Sequence, residues 1–395
     1  MRITAAQSFH ADGGWRPFSF LKLSTDEGLV GWSEYALGLW APALPQVIEA
    51  LAAQIKGWDP RAFARIAAAL HAQTRFTPAG LAAQAIAAIE NACVDIAAKA
   101  AGVPVCALFG GPFRDELELY WSHCGSFRPR DPEIFGELLG LPPLTSANDF
   151  EALGREVVRR GYRAAKINPI LFAGGAGRLL NPGFAPGLDH GRRLTPETLA
   201  AIAEQAEAFV RGLDSRAEAM LDLNFGFTPS GFAQIARTLH HLPFKWLEID
   251  SPDATAIAAI RQTTSIPIAS CESIYGRRGL TPFLSEKAVD YAVIDVVWNG
   301  IAESVRMADI AETAEVNVAP HNFYGPLADL MAAHFCAAFP NFEIMEHEGD
   351  DVPWKGSLLN TPPAIARGIM RVPTAPGWGA DVDENAVAAH PWHPR

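Results

Sequence analysis

The sequence predicts an α/β protein in which a (β/α) barrel follows a smaller α+β domain. Its 395 residues exceed the roughly 250 that such a barrel takes, so the chain has room for an additional domain. From about residue 118, short apolar runs alternate with amphipathic segments, which is the pattern of successive strands and helices. Polar residues near the ends of these runs recur every 23 to 26 residues, about the length of one strand, loop and helix.

The N-terminal region, residues 1–117, predicts the separate α+β domain. Residues 18–35 form a hairpin pattern, because apolar positions run up to the turn residues 26–28 and then resume. Residues 45–110 are alanine-rich and helical in character, and their longest helical segment stops at Gly102 just before a proline. Strands followed by a run of helices indicate a domain of their own.

The barrel is predicted over residues 118–355. Residues 171–196 are rich in Gly and Pro and are too long for an ordinary connection, so we expect them over the barrel mouth, where insertions serve recognition. The tail, residues 356–395, contains no βα unit and is expected to return to the first domain. Eight apolar runs fit the eight strands of a closed barrel: LELYWSHC, YRAAKIN, AEAMLDLN, FKWLEID, IPIASCES, DYAVIDVV, AEVNVAP and NFEIMEH.

Composition limits the partners that we expect. The net charge of −12, without a Lys/Arg cluster, argues against a nucleic-acid or anionic-membrane surface and favours a small-molecule partner. The N-terminus lacks the pattern of a signal peptide and no apolar run reaches about 20 residues, so a cytoplasmic location is expected. The five cysteines are scattered without a Cys-x-x-Cys spacing, which argues against both a disulfide framework and a zinc knuckle.

Polar residues at the strand ends form the strongest functional pattern. Because parallel strands of a barrel end at one rim, residues in this pattern converge on one cavity. Three of its carboxylates come from adjacent strands and form the hard-oxygen site that Mg²⁺ prefers. A single acid at a strand end is usually a solvated loop residue, but three in register weaken that alternative. The residues, at intervals of 26, 24, 23, 26 and 25, are Asp222, Glu248, Glu272, Asp295, His321 and Glu346.

Two further groups on this rim suggest acid–base chemistry. His321 and Asp295 lie one βα unit apart, so the carboxylate can raise the basicity of the imidazole and fix its tautomer, as a general base requires. Lys166 ends the run YRAAK, where its ammonium group can bind a substrate carboxylate or act as a base if it is desolvated. The alternative for this lysine is a side chain that extends to solvent from a strand end.

Taken together, these residues resemble the enolase superfamily, in the mandelate racemase branch of the mandelate racemase and muconate lactonizing enzyme group. The resemblance implies a modified barrel of TIM type, with a capping domain built by the N-terminal region and the C-terminal tail. It also implies Mg²⁺ as the cofactor and a homo-oligomeric assembly. The segments that carry it span nearly the whole chain: FLKLSTDEGLVGWSE, GYRAAKIN, LDLN, WLEID, SCES, VID, APHN and GWGADVDE.

The resemblance also implies residue roles. The loop ADGGWRP would close over the barrel mouth, with Trp15 and Arg16 contacting a distal hydroxyl or carboxylate, although a solvated turn with a packed Trp is an equal alternative. The other implied roles are Mg²⁺ ligands for Asp222, Glu248 and Glu272, a catalytic pair for His321 and Asp295, a substrate contact for Lys166, a position beside the metal for Asn224, and a hydrogen bond to the substrate carboxylate for Glu346.

One departure from the family pattern favours a particular reaction. Enzymes of this group abstract the proton α to a carboxylate, and the enolate then collapses by reprotonation or by loss of a β-substituent. Racemases resembling mandelate racemase carry Lys-x-Lys, whereas this chain has Lys166-Ile167-Asn168. Because Asn168 cannot take a proton at neutral pH, it becomes a candidate substrate contact and two-base racemisation is disfavoured. We therefore expect dehydration of a polyhydroxylated sugar acid to a 2-keto-3-deoxy acid.

Several alternatives stay open from the sequence. Racemisation, epimerisation or lactone chemistry would use the same enolate, and a non-catalytic sugar-acid-binding protein would keep the fold but has no need of the His321–Asp295 pair. A zinc hydrolase would require His-rich ligands, and no His-x-His occurs. The acid Asp250 lies two residues after Glu248 on the same strand face, so it can assist or replace that glutamate.

Overall fold

The computed structural model describes residues 1–38, 41–173, 176–180 and 192–393. Its strands, numbered in chain order, are β1 (Ile3–Asp12), β2 (Pro17–Thr25), β3 (Val30–Tyr35), β4 (Glu116–Ser122), β5 (Ala164–Ile167), β6 (Ile170–Ala173), β7 (Ala176–Leu179), β8 (Glu218–Asp222), β9 (Phe244–Glu248), β10 (Ile268–Ser270), β11 (Tyr291–Ile294), β12 (Asn317–Pro320), β13 (Met345–Glu348), β14 (Ile365–Ala366) and β15 (Ile369–Arg371).

The helices are also numbered in chain order. They are α1 (Leu44–Gln54), α2 (Phe63–Gln73), α3 (Leu81–Ala101), α4 (Asp149–Arg160), α5 (Pro196–Leu213), α6 (Pro229–Leu239), α7 (Ala254–Arg261), α8 (Gly276–Ser285), α9 (Val296–Asn299), α10 (Ile301–Thr313), α11 (Pro326–Cys336) and α12 (Glu384–Ala389).

A three-stranded antiparallel sheet and three helices form the N-terminal domain. The sheet has the order β1-β2-β3, and α3 packs against it together with α1 and α2. Gly31 on β3 permits this packing, because a Cβ there would lie 2.1 Å from the carbonyl oxygen of Ala92 on α3. The helix α3 ends at Gly102 in a left-handed conformation, as its sequence predicts.

The helix α3 is the central helix of the domain. It is long and apolar enough to cross a membrane, but 94% of its apolar window is buried inside the protein. Its polar side chains serve the contact with the barrel: Asn91 donates to the carbonyl of Val296 at 3.1 Å and accepts from the amide of Ile301 at 2.8 Å. The helix therefore joins the two domains.

The predicted barrel is confirmed. Eight parallel strands follow the order β4-β5-β8-β9-β10-β11-β12-β13, and β13 pairs with β4. A bridge between Val318 and Phe342 connects β12 to the segment leading into β13, which closes the ring. The residues of one buried layer come from all eight strands or the segments beside them: Tyr120, Ala164, Met220, Trp246, Ala269, Val293, Ala319 and Ile344.

Residues 356–393 contact both domains. The hairpin β14–β15 extends the sheet through antiparallel pairing of β15 with β4. Beyond it, the indole of Trp378 donates to the carbonyl of Trp32 at 2.7 Å, and Lys99 binds Asp381 at 2.5 Å. The tail thus returns to the N-terminal domain.

The Gly/Pro-rich insertion is described only in part. Its first section forms the antiparallel hairpin β6–β7, which directly follows β5 and so begins at the C-terminal end of the barrel strands. Residues 174–175 and 181–191 lie outside the described residues, so the predicted role of the insertion over the barrel mouth stays a prediction.

Candidate active site

The polar residues of the repeating pattern lie together at the C-terminal rim of the barrel. Asp222 ends β8 and pairs in register with Glu248, which ends β9. Glu272 follows β10 after Cys271, whose φ of 95° turns the chain at the strand end. The buried acids and histidine of this rim are Asp222, Glu248, Glu272, Asp295, His321 and Glu346.

Two asparagines hold the first and third predicted metal ligands. Asn224 donates its backbone amide to Asp222 at 2.8 Å and its side-chain amide to Glu272 at 3.2 Å, so it joins the two acids. Asn168 donates to the other oxygen of Asp222 at 3.0 Å. Burial raises the pKa of Glu272 well above its ordinary value, and the adjacent carboxylate of Asp250 raises it further. Asn168 and Asn224 therefore position acids in the described structure.

Glu248 is held by a lysine and a tryptophan. Lys166 Nζ lies 2.8 Å from Glu248, 3.1 Å from Glu346 and 3.9 Å from Asp222, and the Trp246 indole donates to Glu248 at 3.0 Å. Burial raises the pKa of Glu248 to about 7, against the opposing effect of Lys166. Burial alone would lower the pKa of Lys166, but Glu248 and Glu346 outweigh it and hold that pKa well above its usual range. The two carboxylates therefore favour the ammonium form of Lys166.

Glu346 is an ionised acceptor. It accepts hydrogen bonds from the Ser122 hydroxyl and from the Asn322 backbone amide, both at 2.5 Å. Burial favours its neutral form, but Lys166 and His321 outweigh this and lower its pKa to about 2. An ionised Glu346 cannot donate to a substrate carboxylate, so the hydrogen bond implied by the family resemblance would require a proton on the substrate.

His321 and Asp295 form the predicted pair. His321 Nδ1 lies 2.6 Å from Asp295, which can only accept, so Nδ1 carries the proton. The hydroxyl of Tyr324 and the amide of Trp298 donate to the same carboxylate. Burial alone would lower the pKa of His321, but Glu272 and Asp295 raise it to about 10. Its Nε2 is 3.4 Å from Glu272, beside the carboxylate site.

A second histidine–carboxylate pair lies beside this one, and the sequence did not predict the pairing. His123 Nδ1 is 2.9 Å from Glu348, and Ser122 lies between His123 and Glu346. The His123 ring packs against Phe323, which also contacts His321. Burial and the nearby Lys166 hold the pKa of His123 well below 6.5, so its imidazole is neutral. Ser122 pairs with Glu348 across the parallel strands β4 and β13, and His123 directly follows Ser122. Knowledge of this strand register would have placed His123 near Glu348.

The loop between β1 and β2 covers the aromatic side of the site. The Trp15 ring lies 4.3 Å from that of Phe127. Arg16 is buried, and its guanidinium donates to Asp351 and to the carbonyl of Tyr324, each at 2.8 Å. A substrate contact by Arg16 would therefore require this ion pair to break, whereas the Trp15 ring forms part of the wall.

The carboxylates at this rim are of the type that binds a hard divalent cation, but in this structure they are not arranged around a common point. Within the described part of the chain, no three His, Cys, Asp or Glu side chains converge closely enough to hold a metal ion. The chemistry of the donors nevertheless fits Mg²⁺, because carboxylate oxygens from adjacent strands are gathered with few cations. Buried acceptor atoms without a partner, both oxygens of Asp250 and the amide oxygen of Asn168, lie beside them. Binding would require side-chain rotation.

Comparisons with known proteins agree with this fold. A family model described as enolase C-terminal domain-like matches residues 149–386, and one for the mandelate racemase / muconate lactonizing enzyme N-terminal domain matches residues 7–110. D-xylonate dehydratase of Haloferax volcanii is 27% identical over 98% of this chain and 88% of its own. D-galactonate dehydratase of Xanthomonas oryzae pv. oryzae is 26% identical, over 98% and 94%.

A solved structure is more similar in sequence. It comes from Burkholderia xenovorans, is provisionally named an L-alanine-DL-glutamate epimerase, and is bound to magnesium and fumarate. It is 37% identical, with a TM-score of 0.94 over 98% of this chain and 96% of its own.

Proposed function

The chain belongs to the mandelate racemase and muconate lactonizing enzyme group of the enolase superfamily, and on this premise we propose that it is a Mg²⁺-dependent dehydratase of a polyhydroxylated sugar acid. The relatives named as D-xylonate and D-galactonate dehydratases support this reaction class and substrate class. The product would be a 2-keto-3-deoxy acid.

One arrangement carries the proposal. The His321–Asp295 pair stands beside Glu272, while the family's second basic position is Asn168, which is bound to Asp222. Lys166 is unsuitable as a second base, because two carboxylates keep it charged. Asn168 leaves the family's second basic position without a base, and elimination needs only one group that takes and returns a proton.

The proposed dehydration has three steps, and His321 acts in the first two. In its neutral form, with Nδ1–H donated to Asp295, His321 would present a basic Nε2 to the α-proton of the substrate. Coordination of Glu272 to a cation would weaken the largest of the effects that raise the pKa of His321 to about 10, and so would favour this neutral form. The resulting imidazolium is stabilised by Asp295 and returns the proton to the β-hydroxyl as the carbon–oxygen bond breaks, so that water leaves. The enol that forms then tautomerises to the 2-keto acid. Lys166 contributes positive charge near the substrate carboxylate throughout.

The predicted cation would be held by Asp222, Glu248 and Glu272. When bound, it would supply the positive charge that makes an α-proton next to a carboxylate acidic enough to remove. The structure from Burkholderia xenovorans that contains magnesium supports this choice of metal.

A two-base epimerase is the second candidate. It is favoured by the second imidazole–carboxylate pair, His123–Glu348, and by the 37% identity to the structure named as an epimerase. In that reaction His321 and His123 would act on opposite faces of one carbon. Dehydration is preferred because Asn168 occupies the family's second basic position and the relatives named as dehydratases match nearly the full chain, whereas the epimerase name of the solved structure is provisional.

The test is a reaction screen with purified protein and Mg²⁺. Aldonic and aldaric acids are incubated with the enzyme, and 2-keto-3-deoxy product is measured as its semicarbazone, with His321→Asn as the inactive control. We expect product from at least one acid. If no acid gives this product, and another carboxylate is inverted or exchanges its α-proton for deuterium in D₂O, the enzyme is an epimerase instead. His123→Asn should then abolish inversion.

We also propose a cytoplasmic location and a homo-oligomeric assembly. The acidic net charge of −12 supports a small-molecule substrate and argues against nucleic-acid and anionic-membrane partners. A homo-oligomer is proposed from the family alone, and light scattering after size-exclusion chromatography measures it.

A further inference from the structure

We propose that Asp250 is an additional ligand of the divalent cation and contributes a carboxylate oxygen directly to it. This inference rests on the proposed Mg²⁺-dependent function and adds a residue that the three-carboxylate assignment omits. Its first observation is that the Asp250 side chain is only 2% exposed, yet neither of its oxygens accepts a hydrogen bond from any residue that the structure describes. Each of the other rim acids accepts at least one: Asp222, Glu248, Glu272, Asp295 and Glu346.

The backbone sets the position of Asp250. Its amide donates to the carbonyl of Asn224 at 3.1 Å, which continues the β8–β9 ladder two residues beyond Asp222 and Glu248. Side chains two residues apart share one face of a strand, so Asp250 lies on the same side as Glu248 but nearer the mouth. Asn224 is the residue that joins Asp222 to Glu272. Asp250 is therefore next to the bridge between the first and third predicted ligands.

Asp250 and Glu272 are both buried, and Asn224 contacts both, the first through its backbone carbonyl and the second through its side-chain amide. Buried carboxylates that lie near one another repel, and a cation bound to them offsets that repulsion. Lys166 binds Glu248 and Glu346, and His321 Nε2 lies 3.4 Å from Glu272, so neither group is an ion-pair partner of Asp250 in the described part of the chain. A divalent ion held by Asp250, Asp222 and Glu272 would bind the unpartnered oxygens of Asp250. It would also offset the repulsion among the three carboxylates.

Glu248 has a different environment. Its two oxygens already accept from Lys166 and Trp246, both buried, so it lies deeper in the barrel and is held by its own chain. Oxygens of a carboxylate have more than one lone pair, so Glu248 keeps the capacity to bind a metal. Asp250 can nevertheless bind a metal ion without breaking a side-chain hydrogen bond to the described residues, whereas both oxygens of Glu248 are already hydrogen-bonded.

Direct metal binding tests the proposal without a substrate. Protein stripped with a chelator is titrated with Mg²⁺ and with Mn²⁺ by calorimetry, for wild type, Asp250→Asn and Asp250→Ala. The matched control is Asp253→Asn, which removes the same charge from an exposed helix N-cap on the same loop and keeps the capping oxygen. We expect at least tenfold weaker binding in both Asp250 variants and less than a twofold change in the control.

The outcomes separate this inference from the proposed function. Wild-type binding of either ion with equal affinity in the Asp250 variants would overturn the ligand assignment and leave the dehydratase proposal intact, as would a raised KM for the acid at unchanged metal affinity. No binding of either ion by wild type would overturn the metal dependence itself. Thermal unfolding is measured on each metal-free variant, because weakened binding counts only for a variant that is folded.

Discussion

The substitution Asp295→Asn tests the catalytic pair most directly. Asp295 accepts from His321 Nδ1 at 2.6 Å and from the amide of Trp298 at 2.8 Å. An asparagine keeps the shape and one acceptor oxygen, but its amide donates to Nδ1 when turned toward the imidazole. The proton of neutral His321 then lies on Nε2, and the nitrogen that faces the site can no longer accept a proton from substrate.

The size of the expected effect follows from this change of tautomer. An imidazole held in the wrong tautomer by the equivalent substitution in a catalytic triad loses about 10⁴ in kcat. We expect a loss of about 10³ to 10⁴, which corresponds to about 4 to 5.5 kcal/mol of transition-state stabilisation. KM and the affinity for Mg²⁺ should change less than kcat, because the hydrogen bonds of the Asp295 side chain within the described residues go to His321, Trp298 and Tyr324 and not to a predicted metal ligand.

The assay is the steady-state rate of 2-keto acid formation, or of α-deuterium exchange if dehydration is not observed. Tyr324→Phe is the graded control, since it removes one donor to Asp295 and keeps the imidazole contact. We expect that control to lose about tenfold or less, in line with one hydrogen bond of about 1 kcal/mol. A kcat for Asp295→Asn within tenfold of wild type would refute the assignment of His321 as the base.

Three further predictions concern packing and charge. Lys166→Met leaves two buried glutamates unpaired, and we expect loss of activity with about 3 to 5 kcal/mol of destabilisation, measured by urea unfolding; an unchanged midpoint would contradict the ion-pair argument. Gly31→Ala places a Cβ 2.1 Å from the Ala92 carbonyl oxygen and should destabilise by about 1 to 3 kcal/mol, whereas Gly136→Ala, with nothing within 4 Å, should have a much smaller effect. Burial raises the pKa of Glu90 to about 7 from 4.5, so the folded state retains a proton that the unfolded state releases, and stability is lost as pH rises from about 4.5 to 7. Over this pH range, the free energy of unfolding of Glu90→Gln should fall by up to about 3 kcal/mol less than that of wild type. Parallel profiles of unfolding free energy against pH for the two proteins would contradict this prediction.

The barrel and its rim were predictable because both depend on local periodicity. Strands such as β8 and β9 end in polar residues at a spacing set by one βα unit, and parallel strands bring those ends together whatever the details of packing. Asp222, Glu248 and Glu272 were therefore found on one rim, as was the contact between Asp295 and His321.

The partners of individual side chains were not predictable in the same way. Arg16 binds Asp351, which is 335 residues away, and His123 binds Glu348, which is 225 residues away. Such contacts depend on how the barrel closes between β13 and β4 and on how a loop of another domain settles over it. Sequence spacing carries no information on either, so the sequence does not predict that Asp351 binds Arg16.

The return of the tail to the N-terminal domain imposes an order on folding during synthesis. Asp95 on α3 accepts the backbone amide of Trp378, 283 residues later, and the Trp378 indole packs into the same domain. At roughly 5 to 20 residues per second, a ribosome completes α3 about 15 to 60 seconds before Trp378 exists. Throughout that interval the nascent domain lacks the indole, and the buried acid on α3 lacks one of its donors. A chain that stalls within the barrel therefore exposes an unfinished N-terminal domain, although every residue of its sheet and helices has already been made.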